Sequence, residues 1–154
     1  MSVQIVLGSK SDMKVAEKAV SVLKELGIRY KLTIASAHRT PELVDKLVSE
    51  ADAEVFIAIA GLSAALPGVI AARTTRPVIG VPVSGTVNLD AILSVVQMPP
   101  GIPVAGVGLD RGDNAALLAA SILALKDQKV KAALDRYRQK LRDMITQDSE
   151  EVEV

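Results

Sequence analysis

The sequence of 154 residues has no cysteine, no tryptophan and one histidine. Without cysteine, the chain cannot form a disulfide, a thiolate metal site or a cysteine nucleophile. A zinc site usually draws on several imidazole or thiolate ligands, so a single histidine also argues against zinc. We therefore predict that the protein binds no metal ion.

The chain also has no net charge and few aromatic residues. Lys and Arg (18) balance Asp and Glu (18), and aromatic residues make up 2% of the chain. A neutral protein does not attract polyanions, and single-stranded bases stack on aromatic side chains, so we expect no nucleic-acid partner. The opening MSVQIVLGSKSD has neither a basic n-region nor a long apolar run, so we expect no signal peptide and no membrane span. The expectation is a soluble cytoplasmic protein.

Short apolar runs alternate with helical patterns along the chain. The runs lack the polar alternation of a one-sided sheet, which indicates strands buried on both faces. They cover residues 3–7, 55–60, 77–83 and 102–108, and a more alternating run at 29–35 suits an edge strand. Predicted helices cover 12–26, 41–50, 127–146 and segments beginning near Leu66, Asn88 and Asp113, the last ending near Ala124. Gly27 is placed to end the first helix, Thr40 and Asp113 are placed to cap theirs, and the tail after 146 is expected to fray.

This alternation predicts an α/β fold. Parallel strands joined by right-handed crossovers place helices on both faces of the sheet. We therefore predict one domain over residues 1–154, a flavodoxin-like three-layer αβα sandwich with a five-stranded parallel sheet and a C-terminal helix. Ligands of such sheets lie outside the carboxyl ends of the strands, where the strand order reverses.

Three polar clusters follow the first three strands and are expected to meet at that edge. They are GSKSD (8–12), SAHRT (36–40) and GLSAALPG (61–68). In the first cluster, Ser9 and Ser11 lie beside a helix start and suit a phosphate or a ribose hydroxyl. The alternative is ordinary helix capping by these serines, with Asp12 favoured by the helix dipole.

The second cluster places the single histidine next to an arginine. Arg39 carries a rigid fork of donors that matches phosphate oxygens, although a salt bridge with Glu42 or Asp45 is an alternative. His38 is either a structural histidine bonded to a backbone carbonyl or a group that moves a proton. Because it lies beside an anion-binding arginine at the ligand edge of an α/β sheet, we favour proton transfer.

Two later segments are rich in proline, glycine or alanine. The loops GVPVSGTVNLD (80–90) and QMPPGIPV (97–104) are either a binding lip or stiff connectors. The alanine-rich helix in RGDNAALLAASIL (111–123) permits close packing against another helix, of this subunit or of a neighbouring one.

Together these segments resemble a known family. VLGSKSDMKVAEKA, ASAHRTPE, LPGVIAA, PVIGVPV, VQMPPGIPV and NAALLAASIL follow in this order across most of residues 3–125. They are similar to the N5-carboxyaminoimidazole ribonucleotide mutases and aminoimidazole ribonucleotide carboxylases of purine biosynthesis. The resemblance implies a flavodoxin-like subunit, a homo-octamer with active sites built from more than one subunit, a ribonucleotide substrate, and no metal or organic cofactor.

The resemblance also implies roles for individual residues. Ser9 and Asp12 correspond to substrate-binding residues, Ser36 and Arg39 to phosphate ligands, and His38 to the catalytic acid and base. The walls of the site are expected to include Gly8, Ser11, Gly61, Ser63, Ala65 and Leu66.

Three functions remain open. A mutase moves a carbamate carboxyl group from the exocyclic nitrogen to ring carbon C4, and we favour this reaction. A carboxylase instead adds free carbon dioxide to that carbon. Bacterial mutases usually show GGAAHLPG at the third loop, and Ala65 here replaces the second histidine. The carboxylases also lack that histidine and tend to have a serine at the position of Ser63, whereas LPG and QMPPGIPV follow the mutase pattern. The third possibility is a nucleotide-binding module without catalysis.

Overall fold

The computed structural model describes residues 1–152 and contains a five-stranded, fully parallel sheet. The strands are β1 (Ser2–Leu7), β2 (Arg29–Ile34), β3 (Val55–Ala60), β4 (Val78–Pro82) and β5 (Ala105–Gly106). The helices are α1 (Met13–Glu25), α2 (Pro41–Glu50), α3 (Leu66–Ala71), α4 (Asn88–Val96), α5 (Gly112–Ala124) and α6 (Gln128–Glu150). A 3₁₀ turn at Lys10–Asp12 precedes α1. The predicted flavodoxin-like α/β fold is confirmed.

The strands are arranged in the order β2-β1-β3-β4-β5. The chain moves outward from β1 to β2 and then returns to the other side of β1 to form β3. Strand order therefore reverses between β1 and β3, and the loops that leave these two strands diverge. This divergence opens a crevice at the carboxyl edge of the sheet.

Both faces of the sheet are covered by helices. In β3, Val55, Ile57 and Ile59 face a buried layer that includes α1, α5 and the start of α6. The alternate residues Phe56 and Ala58 face a second layer built from α2, α3 and α4. All five side chains are fully buried, because successive side chains of a strand point to opposite faces. This double burial explains why the run VFIAIA shows no polar alternation.

The alanine-rich helix α5 packs against α1 and α6 of the same chain. Ala115 and Ala119 are fully buried, so the helices approach closely. The approach is tightest at Gly112, where an added Cβ would overlap the carbonyl oxygen of Val15. The small-residue face of α5 is therefore used within the subunit.

Helix α6 is covered by its own chain only over its first half. Val130 and Leu134 are buried, and Tyr137 packs on the same layer. Further along, Leu141, Met144 and Ile145 are 44%, 51% and 68% exposed. The outer half of α6 therefore presents an apolar stripe that the subunit itself does not cover.

Two predicted boundaries were wrong. The fifth strand was expected over 102–108, but only Ala105 and Gly106 pair with β4. The C-terminal helix was expected to end near 146 and then fray, but α6 continues to Glu150, where Gln147 donates a hydrogen bond to Glu151 at 2.9 Å. Residues 153–154 of the predicted tail lie outside the described residues.

Two predicted caps also differ. Thr40 occupies the N-cap position of α2, but its hydroxyl bonds Ser36 instead of the helix. Helix α5 begins at Gly112, so Asp113 lies inside the first turn and pairs with Arg111 at 2.8 Å. The predicted end of the first helix is confirmed, since Gly27 has a φ of 69°.

No helix within residues 1–152 is both long enough and apolar enough to cross a membrane. The same stretch contains no group of three or more metal-binding side chains placed to hold an ion.

Candidate active site

A pocket of about 410 Å³ opens at the carboxyl edge of the sheet, in the crevice between β1 and β3. Three loops form its walls, one after each of the first three strands. Its lining consists of Gly8, Ser9, Ser11, Asp12, Ser36, Ala37, His38, Arg39, Ala60, Gly61, Leu62, Ala64, Ala65 and Leu66. This volume falls within the range of small-molecule sites, about 300–1,000 Å³. The structure therefore brings the three predicted clusters together.

The first loop is a tight turn held by reciprocal side-chain caps. The Ser11 N–H donates to Ser9 Oγ at 3.3 Å, and the Ser9 N–H donates to Asp12 Oδ2 at 3.1 Å. The Ser11 hydroxyl donates to Asp12 Oδ1 at 3.1 Å. This capping box confirms the capping alternative for these residues. Because the same residues line the pocket, capping also fixes their positions toward a ligand.

Asp12 is a nearly buried carboxylate at the pocket wall, 6% exposed. Burial raises its pKa above the usual value for aspartate, and this effect outweighs the hydrogen bonds from Ser11 and Ser9 and the charge of Arg39, which lower the pKa. An ionised carboxylate has several lone-pair positions, so Asp12 can accept further hydrogen bonds from ligand hydroxyls.

The Arg39 side chain links the second loop to the first. Its Nη2 donates to the Gly8 carbonyl at 2.8 Å, and its Nε donates to Ser36 Oγ at 3.2 Å. A guanidinium has five N–H donors, so three remain for a ligand. The alternative of a salt bridge with an acid of α2 is not seen within residues 1–152, where Asp45 pairs instead with Arg73. Arg39 therefore presents a fixed, partly unused donor fork to the pocket.

His38 lies at the tip of the second loop. The Thr40 N–H donates to the Ser36 carbonyl at 3.0 Å, and the Ser36 N–H donates to Thr40 Oγ1 at 2.9 Å, so the loop closes on itself. His38 is exposed and lines the pocket next to Arg39. This is not the buried setting of a structural histidine. The ring can exchange protons with whatever occupies the pocket.

The third loop, after β3, forms another part of the pocket wall. It closes through a hydrogen bond from the Ala64 N–H to the Gly61 carbonyl at 2.6 Å. Leu62 is 80% exposed at the pocket mouth, and Ala64 is 1% exposed. Ser63 has a left-handed φ of 59°, and its N–H donates to Asp90 Oδ2 at 3.0 Å. Contrary to prediction, Ser63 is not among the residues that line the pocket.

The segment QMPPGIPV does not reach the pocket either. Met98 lies over Gly68, where an added Cβ would be 3.1 Å from Met98 Cε. Gly101, Ile102 and Pro103 instead line a separate cavity, so a binding lip formed by this segment is not seen at the present pocket. The sequence reasoning missed Ala37, Ala60, Leu62 and Ala64, which line the pocket with small or apolar groups inside or beside the quoted clusters.

Comparison with known proteins identifies the family. The family model described as AIR carboxylase matches residues 2–144. The chain belongs to the AIR carboxylase family. A Methanocaldococcus jannaschii protein named N5-carboxyaminoimidazole ribonucleotide mutase is 58% identical over 149 residues, which cover 96% of this chain and 95% of that relative.

Two further relatives in the AIR carboxylase family differ in how much of their own length this chain covers. A Methanobrevibacter smithii protein named probable N5-carboxyaminoimidazole ribonucleotide mutase is 52% identical over 154 residues. The match covers 97% of this chain, which spans about half of that relative, 45% of its length. The crystal structure of Treponema denticola PurE superposes with a TM-score of 0.90 at 35% identity and covers 99% of each chain. The Treponema denticola protein therefore shares the complete fold described here.

Proposed function

We propose that this protein is an N5-carboxyaminoimidazole ribonucleotide mutase, an isomerase of purine biosynthesis. In this reaction the carboxyl group leaves the exocyclic nitrogen as carbon dioxide and is recaptured by ring carbon C4. One observation carries the proposal: Asp12, His38 and Arg39 converge on a single pocket in a chain whose relatives are named for this reaction.

The proposed binding mode follows from charge and hydrogen-bonding capacity. The free donors of Arg39 bind the phosphate of the ribonucleotide, with the Ser36 hydroxyl as a second ligand. Asp12 and Ser9, which line the same pocket on the first loop, accept hydrogen bonds from the ribose hydroxyls. This orientation directs the imidazole of the substrate toward His38 and the third loop.

His38 acts as acid and then as base. Its imidazolium donates a proton to the exocyclic nitrogen as the N–C bond breaks and carbon dioxide leaves. The electrons of the ring then form the C4–C bond, and the neutral imidazole removes the proton from the tetrahedral C4. The proton returns to His38, so the cycle closes without a second titrating group.

The third loop retains the carbon dioxide. After the N–C bond breaks and before the C4–C bond forms, carbon dioxide is free and uncharged. The protein can keep it near C4 only by closing the routes out of the pocket. Gly61, Ala64, Ala65 and Leu66 provide a wall of backbone and small or apolar side chains. A wall of this kind blocks escape without competing for the proton.

Direct carboxylation of aminoimidazole ribonucleotide by free carbon dioxide is the second candidate. Two observations favour it: Ala65 stands where a histidine is usual in bacterial mutases, and the matching family model is described as AIR carboxylase. The decisive assay gives purified protein either the carbamate substrate or aminoimidazole ribonucleotide with bicarbonate, and follows the C4-carboxylated product. Turnover that requires bicarbonate would refute the mutase proposal. Absence of turnover with both donors is the result expected of a binding module.

The variant His38→Asn separates chemistry from binding. Asparagine has similar polarity but cannot carry a proton near neutral pH, so turnover should fall below detection. Affinity for aminoimidazole ribonucleotide, measured by calorimetry, should change by less than about threefold, because the phosphate and ribose contacts remain. An equal loss of affinity and rate would contradict the acid–base role.

We further propose a cytoplasmic homo-octamer with shared active sites. Leu89, Leu93 and Val96 are exposed along one face of α4, and the outer half of α6 carries its own apolar stripe. Contiguous apolar faces of this kind mark protein interfaces. The Ser63–Asp90 contact places the start of α4 beside the third loop of the pocket. A second subunit that covers the exposed face of α4 would therefore lie next to the pocket. Light scattering after size exclusion tests the assembly, and a monomer of 16.2 kDa would refute it.

A further inference from the structure

Asp90 lies on α4, outside the pocket, but it contacts the loop that forms one wall. Its Oδ2 accepts the Ser63 N–H at 3.0 Å, and Ser63 has a φ of 59°. A residue with a Cβ rarely adopts this left-handed region, because the side chain approaches its own backbone. We propose that Asp90 is a positioning residue, which holds Ser63 in this conformation and thereby fixes the pocket wall formed by residues 61–66.

The course of the wall depends on the conformation of Ser63. The turn from Gly61 to Ala64 closes through one backbone hydrogen bond, and Ala64 then enters the core at 1% exposure. If Ser63 returned to an ordinary backbone region, the chain would leave the turn in a different direction. Ala64 would then be withdrawn from its buried position, and Ala65 and Leu66 would shift with it.

Helix α4 is a firm support for this contact. Ala91 and Val95 are 1% and 0% exposed and hold the helix against the sheet. Asp90 is partly buried in the first turn of α4, where the helix dipole favours its negative charge. The carboxylate therefore links a loop with an unfavourable backbone conformation to a helix whose inner face is buried against the sheet.

The inference rests on the proposed mutase function in one respect, the role of the wall in retaining carbon dioxide. A loosened wall would let carbon dioxide escape before C4 captures it. The carbamate substrate would then yield aminoimidazole ribonucleotide and free carbon dioxide instead of the C4-carboxylated product. The ratio of these two products reports on the wall, whereas a general loss of folded protein would reduce both products together.

The test compares Asp90→Ala with Asp113→Ala, which removes a first-turn aspartate from α5 and serves as the matched control. Hydrogen exchange of the free protein is measured first, over a peptide that covers residues 61–66. Asp90→Ala should accelerate exchange there about fivefold, the change that loss of one ordinary hydrogen bond produces. Asp113→Ala should leave it unchanged. Equal exchange in the Asp90→Ala and original proteins would overturn the proposal.

The second readout is the product ratio from the carbamate substrate, corrected for its spontaneous decay. Asp90→Ala should raise the fraction released as aminoimidazole ribonucleotide, and Asp113→Ala should not. An unchanged ratio with faster exchange would overturn the role in carbon dioxide retention. If Asp90→Ala fails to fold, Asp90→Asn decides. Its neutral amide oxygen accepts a weaker hydrogen bond than the carboxylate does, so exchange over residues 61–66 should still rise above that of the original protein, by less than about fivefold, and no increase would overturn the proposal. If the original protein does not convert the carbamate substrate at all, the mutase function is refuted. The hydrogen-exchange comparison over residues 61–66 still tests the positioning role of Asp90 in that case.

Discussion

Replacing Arg39 by alanine should weaken binding of the phosphorylated ligand and leave the fold intact. The side chain is exposed and makes two hydrogen bonds to the protein, to the Gly8 carbonyl and Ser36 Oγ. Exposed bonds of this kind contribute little to stability, since water replaces them when they are lost. We expect the free energy of unfolding to change by less than about 1 kcal/mol.

The effect on affinity follows from the donors that the protein leaves free. Two of the three unused N–H groups of Arg39 can form a bidentate pair with a phosphate, and hydrogen bonds to charged groups contribute about 1.5–3 kcal/mol each. Because Arg39 is exposed to water and salt, we take the lower value, about 3 kcal/mol for the pair. At about 1.4 kcal/mol per tenfold change, the Kd should rise roughly 100-fold.

Calorimetry with two ligands tests this prediction. Aminoimidazole ribonucleotide and its dephosphorylated nucleoside are titrated into the original protein and into Arg39→Ala. Only the nucleotide should bind more weakly to the variant. Arg73→Ala is the matched control, because Arg73 is also partly exposed but pairs with Asp45 away from the pocket. The reasoning is refuted if both ligands lose affinity equally, or if neither does.

Two further variants test the burial of Asp12 in the first loop and the close contact between helices α1 and α5 at Gly112. Asp12→Asn should raise the Tm near neutral pH, because burial raises the pKa of Asp12 and disfavours its charged form, whereas the amide stays neutral. The amide can keep both contacts of Asp12, since its oxygen accepts from the Ser9 N–H and its NH2 donates to the Ser11 hydroxyl oxygen. The advantage should disappear as the pH falls through that raised pKa, and thermal melts at several pH values would contradict this if the advantage grew in acid. Gly112→Ala should destabilise the fold by about 1–3 kcal/mol or more, since its Cβ overlaps the Val15 carbonyl oxygen. Urea unfolding measures this loss, with Gly85→Ala as control because nothing lies within 4 Å of its added Cβ, and equal midpoints would contradict it.

The strands and their order along the chain could be predicted because burial on both faces leaves a distinct apolar run. β5 was the exception. Only Ala105 and Gly106 pair with β4, both are exposed, and no residue of the run 102–108 is fully buried, although Val104 lies against Gly80. The end of α6 was missed for another reason. After Ile145 the segment TQDSE has no apolar residue to mark a helix, and side-chain contacts four residues apart, such as Gln147 with Glu151 at 2.9 Å, extend α6 there.

The three pocket loops could be predicted together because parallel strands end at the same edge. The conformation of the third loop could not. A glycine would have signalled a left-handed residue, but the position holds Ser63, and its partner Asp90 lies 27 residues away. A contact of this kind depends on how α4 packs against the sheet, and the sequence around Ser63 or around Asp90 does not predict that packing.

The packing of Tyr137 against the core layer of α1 and α5 has an optical consequence. Since the chain has no tryptophan and only two tyrosines, its ultraviolet emission comes from Tyr137 in α6 and Tyr30 in β2. A Tyr30→Phe chain would emit from α6 alone. Its fluorescence would then report whether that helix is docked, without an added label. A tryptophan introduced elsewhere could be excited at wavelengths that tyrosine does not absorb, and would then be the one emitting residue.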